Sequence, residues 1–130
     1  MSVKQKYKWL DRRIARPGPY LTLCLSQDEF DDVLTKLKVR DRPLFVNHGA
    51  DATAHHLFTE KGGHTTVVCL SGHEQRSPIE VAGMLVHEAV HVWQEYCDTI
   101  GEKEPGREQE AYAVQSISQE LMAEYARRMS

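Results

Sequence analysis

Hydrophobic and polar positions along this chain of 130 residues follow two periods, and the changes between them mark out the elements. After the turn-forming "RPGP" (16–19), "YLTLCL" (20–25) is almost continuously apolar and predicts a short extended segment. Phe30, Val33, Leu34 and Leu37 then recur at helical spacing, which predicts an amphipathic helix over 27–38. Ser26 and Glu29 form a capping box at its start, and "RDRP" (40–43) ends it. "LFVNH" (44–48), "AHHLFTE" (54–60) and "HTTVVCL" (64–70) predict three strands, the last two joined through "KGG" as a hairpin. The more β-branched arm, 64–70, belongs inside the sheet, and 54–60 belongs at its edge.

"SPIE" carries three helix-start signals together: Ser77 as N-cap, Pro78 in the first turn and Glu80 completing a capping box. A helix over 78–96 follows, "CDTIGEKEPG" (97–106) breaks it, and a last amphipathic helix covers 107–128. No repeat or low-complexity tract divides the chain, so a single domain over 1–130 is expected, with 1–19 as an extended or flexible N-terminal segment.

Composition narrows the classes without adding elements. A hydrophobic fraction of 41% against 27% charged residues is that of an ordinary globular domain with one modest core. The net charge of -3 gives no footprint for nucleic acid, although Lys4, Lys6, Lys8, Arg12, Arg13 and Arg16 make the first residues locally basic. No run is apolar enough for a membrane span or a secretion signal, so a cytoplasmic location is the default expectation. Cys24, Cys69 and Cys97 are widely spaced and form no Cys-x-x-Cys pair, which predicts free, buried thiols.

The chemistry lies in "MLVHEAVHVWQ" (84–94). At 100° per residue, Val81, Leu85, Val86, Ala89, Val90, Val92 and Trp93 cover a broad apolar arc, and His87 and His91 project together outside it. Two imidazoles four residues apart on one helix face can bind one metal ion, and Glu88 lies close enough to act on a water at that ion without being a ligand. Uncharged neighbours on both sides suggest a buried helix, where two imidazoles and a carboxylate would need a partner. Zinc would require at least one further protein ligand, and Glu108 and Glu110 in "REQEAYAVQ" (107–115) follow across a loop long enough to fold back.

In these residues the chain resembles the zincin metallopeptidases, and within them the gluzincins, whose third ligand is a glutamate on a downstream helix. The likeness covers most of the chain from residue 27 onward. It implies an α+β fold in minimal zincin-like form: a small mixed β-sheet packed against the HExxH helix and a C-terminal glutamate helix. It further implies a hydrolase, a protease using Zn2+. His87 and His91 would be ligands, Glu88 the general base, and Glu110 the third ligand because Ala111 follows it, with Glu108 as runner-up. An extended peptide or protein substrate would lie along the edge strand near 54–60. Many gluzincins carry an aspartate four residues after the ligand glutamate, and here Val114 stands there, leaving Gln115 or a backbone carbonyl to orient a histidine. His73, Tyr96 and Tyr112 are the candidates for stabilising an oxyanion.

A non-catalytic protein that keeps zinc as a structural or regulatory clamp is the competing class. A chain this short would build only one wall of a cleft, so a protein partner could complete it. Neither nucleic acid nor membrane is expected as a partner.

Overall fold

The computed structural model describes residues 7–10, 20–58 and 63–130. The elements are β1 (Trp9–Leu10), β2 (Tyr20–Cys24), α1 (Gln27–Lys36), β3 (Ala52–Phe58), β4 (His64–Leu70), α2 (Pro78–Ile100) and α3 (Arg107–Met129), with a short 3-10 turn at His73–Gln75 before α2. The four strands form one mixed sheet in the order β1-β2-β4-β3. β2 runs parallel to β4, and the two flanking pairs are antiparallel. The mixed α+β class expected from the sequence is the class observed. No helix among the described residues is long and apolar enough to cross a membrane.

Both faces of the sheet are covered, which is why the central strands read as nearly unbroken apolar runs. Leu21, Leu23, Val68 and Leu70 point to one face and pack beneath Val81, Leu85, Ala89, Val92 and Trp93 of α2 and Ile117 and Leu121 of α3. Cys24, Val67 and Cys69 point to the other, against Phe30, Val33 and Leu34 of α1. All three cysteines are free and buried, as the sequence predicted. β4 lies inside the sheet and β3 at its edge, again as predicted.

Local signals explain the helix ends. Ser26 Oγ accepts the Glu29 backbone N–H, and Glu29 Oε1 accepts that of Leu25, which starts α1. Ser77 and Glu80 complete their capping box reciprocally at the start of α2. α2 runs one turn past its predicted end because nothing stops it before Gly101, whose φ of 76° ends the helix in the left-handed conformation.

The strand predicted at 44–48 is absent. That segment carries Pro43 before it and a turn from Asn47 to Ala50, and it is tied down by side chains instead of a ladder. The Asn47 N–H donates to Thr53 Oγ1, and the Phe45 carbonyl bonds His55 Nε2 at 2.8 Å. Phe45 and Val46 pack against the α1 face of the sheet, which accounts for their apolar character without a strand. At the N-terminus, Trp9 and Leu10 pair with Thr22 and Leu21, and the Tyr7 hydroxyl donates to Asp32. The "RPGP" turn, residues 59 and 60 of the edge strand, most of "KGG" and all of the basic N-terminal cluster except Lys8 lie outside the described residues.

Candidate metal centre

α2 presents Val81, Leu85, Ala89, Val92, Trp93 and Cys97 to the core, and this fixes the direction of everything else on it. His87 and His91 fall on the opposite side and are exposed, whereas Glu88 is 5% exposed. The expectation that the whole motif is embedded in core is therefore corrected. Val86 is 37% exposed, so the apolar arc is narrower than the sequence suggested, and only the carboxylate is buried. Burial raises the Glu88 pKa, against the opposing influence of His87, His91 and a hydrogen bond from the Ala54 backbone.

The two imidazoles converge. Their Nε2 atoms lie 3.2 Å apart, with the rings nearly perpendicular. Two zinc–nitrogen bonds of about 2.0–2.1 Å meeting at a tetrahedral angle would separate the nitrogens by roughly 3.3 Å. The His91 Nδ1–H donates to Gln94 Oε1 at 3.0 Å, which leaves the Nε2 lone pair for a ligand bond. The geometry and the donor chemistry thus fit a divalent metal. Gln94 is thus a glutamine bonded to a histidine of the pair, a contact considered above for Gln115. Its signal was available in the sequence as a side chain three residues after His91 on the same helix.

α3 packs against the core side of α2. Glu110, in its first turn, accepts a 2.9 Å hydrogen bond from Trp93 Nε1 through Oε2. Glu108, in the same turn, is exposed. Among the described residues no three His, Cys, Asp or Glu side chains are gathered closely enough to hold an ion, so neither glutamate joins the pair as placed.

β3 stands beside the motif, with His56 near His91 and the Ala54 backbone near Glu88. Its register and the bond from Ser71 N to Asp51 O turn the backbone groups of 51, 53, 55 and 57 toward β4, which leaves those of Ala52, Ala54, His56 and Phe58 facing the open edge. Glu88 lines the same cleft as Ala52, and the Ala54 backbone acts on its pKa, so the carboxylate lies beside that edge. An open cleft of about 370 Å³ adjoins it, with His87 and Glu88 among its lining residues.

His55 and His56 point to opposite faces, as adjacent strand residues must. His55 stacks on Phe30 in the core, 4.6 Å between ring centres. His56 faces α2, with Nδ1 at 3.2 Å from Thr66 Oγ1, and it feels the charges of Glu95 and His91. The sequence offered no means of singling it out beyond that alternation. The three oxyanion candidates fall in different places. His73 is buried against Tyr125, Tyr96 stacks on Trp93, and Tyr112 is 64% exposed.

Comparison with known proteins leaves this geometry to speak for itself. No protein-family model matches the chain, no curated protein is detectably similar to it, and no solved structure matches its fold.

Proposed function

We propose that the protein is a zinc-dependent peptidase of minimal zincin-like form, with His87 and His91 as ligands, Glu110 as the third ligand and Glu88 as the general base. The observation that carries the reading is the convergence of two Nε2 atoms at 3.2 Å beside a buried carboxylate. Neither feature is needed for packing: an exposed hydrogen bond between two imidazoles adds little stability, and a buried carboxylate is costly to desolvate.

Zinc held there would polarise a scissile carbonyl and bring the pKa of a coordinated water close to neutral. The remaining steps belong to the chain. Glu88, whose pKa burial raises, accepts a proton from the attacking water and delivers it to the leaving amine. The outward groups of Ala52, His56 and Phe58 on β3 are available to pair with an extended peptide and hold it across the histidine pair. The Trp93 indole fixes one Glu110 carboxylate oxygen, the kind of support that ligand carboxylates receive; because Trp93 faces the core and the histidines face away from it, Glu110 would reach the ion only with a shift of the start of α3.

The test measures bound zinc and cleavage of an unbiased peptide mixture for the native protein, Glu88→Gln and Glu110→Ala. Glu88→Gln should keep its zinc and lose cleavage by roughly 10²–10⁴-fold. Glu110→Ala should lose much of the zinc affinity. Native protein that binds zinc stoichiometrically and cleaves nothing would leave the structural or regulatory zinc clamp as the better reading.

A further inference from the structure

We infer that Cys24 and Cys69 form an oxidation site, a dithiol that a small-molecule disulfide such as oxidised glutathione converts into a crosslink between the two central strands. The inference uses neither the zinc site nor the peptidase reading.

Register brings the pair together. β2 and β4 run parallel, and Cys24 stands directly beside Cys69 across the ladder. The Cα atoms of such partners lie about 4.7–4.9 Å apart, inside the range of about 4.4–6.8 Å that disulfides span. Both side chains leave the sheet on the α1 face, because alternation along each strand puts them with Val67 and opposite Leu23 and Val68. The Cys24 side chain acts directly on the Cys69 thiol. Cys97 is buried too, but against the other face of the sheet, so the strands themselves separate it from the pair. Packing against Phe30, Val33 and Leu34 asks only for small apolar side chains, and two facing thiols add a bond that can be made.

The step exchanges one disulfide for another. One cysteine, as thiolate, attacks a glutathione sulfur, the glutathione S–S bond breaks, and a glutathione thiolate leaves. The second cysteine then attacks the protein-bound sulfur of the mixed disulfide, forms the S–S bond between Cys24 and Cys69, and expels the other glutathione. The two thiol protons pass to the two departing thiolates, and two electrons pass from the protein to the oxidant. In the folded chain this is slow. Neither cysteine has exposed surface, and burial pushes the Cys69 thiol up, away from the thiolate that must attack. Exchange therefore waits until α1, which covers the pair, stands aside, as it does before folding is complete. Once closed, the crosslink joins positions 45 residues apart and encloses α1 and β3 in one loop.

The test refolds the reduced chain from urea in a buffer of reduced and oxidised glutathione, alkylates the remaining thiols and maps the peptides by mass spectrometry. One crosslink joining Cys24 to Cys69 is expected, with Cys97 alkylated, and Cys97→Ala should form the same crosslink. Chance pairing in the unfolded chain would instead favour Cys69 with Cys97, which are 28 residues apart and close a shorter loop. The crosslinked protein should melt roughly 5–15 °C above the same protein reduced with dithiothreitol, and Cys24→Ala taken through the same buffer should show no such difference. A predominance of the Cys69 to Cys97 link, of mixed disulfides with glutathione or of free thiols would overturn the proposal. So would a crosslinked protein that melts no higher than the reduced one, because the native register would then not suit the bond.

Discussion

At the C-terminal end of α3, Arg128 has no exposed surface, and its guanidinium donates to Glu29 at the start of α1, 99 residues away in the chain. Beside it Glu124, also buried, takes a two-pronged bond from Arg127, and His73 bonds Tyr125. Near the other end, Glu110 and the pair His87 and His91 are exposed, and their hydrogen bonds run mostly between neighbours on α2 and α3. The same residue types therefore serve two purposes in one helical hairpin. Where ionisable groups are buried and tied across elements they hold the layers together. Where they are exposed, as at His87 and His91, they bond mainly to neighbours on their own helix.

The largest effect should come from breaking the buried end. Arg128→Met strands the Glu29 carboxylate and should cost about 3–5 kcal/mol in urea denaturation. In metal-free protein, His87→Ala should stay within about 0.5 kcal/mol of native, because an exposed side chain away from core contacts contributes little. Equal losses in the two variants would erase the distinction between the ends.

The difference extends to the proposed metal site. Gln94→Leu removes the acceptor that fixes the His91 tautomer, and Trp93→Phe removes the donor to Glu110. Each should weaken zinc binding by roughly 10–100-fold, read by competition with a chelator. Unchanged affinity in both would mean that these contacts do not orient ligands.

Acidification gives the smallest and most graded test. Burial pushes His55 below its ordinary value of 6.5, so the folded state binds a proton less readily than the unfolded one. Its contribution is fully present above pH 6.5 and is lost as the pH falls below that value toward the folded pKa. His56, His64 and His73 shift in the same direction, with burial as the leading cause in each. Denaturation midpoints should thus decline below pH 6.5, and His55→Gln should flatten the decline. A flat native profile between pH 7 and 5 would contradict this.

Much of the fold was legible because local signals agreed with tertiary demands. The Ser77, Pro78 and Glu80 start of α2, the buried character of β4 and the alternation across His55 and His56 each follow from a period or a cap. The segment 44–48 was misread because Phe45 and Val46 are apolar for packing under α1, and composition alone does not separate a packed loop from a strand. Of the site, the spacing of His87 and His91 was readable, since helix geometry dictates it. That they are exposed while Glu88 is buried was not, because neighbouring apolar residues cannot say where the core arc ends. The roles of Gln94 and Trp93 and the cleft beside Gly83 depend on rotamers and on the approach of β3, which no single-chain pattern encodes.

His87 and His91 are proposed to share one metal ion. Zinc content determined by mass spectrometry, after dialysis against limiting free zinc, tests it most directly in the native protein and in His87→Ala. One zinc per native chain and a fall of at least about tenfold in affinity for the variant is the predicted result. The same zinc content and affinity in both would contradict the claim.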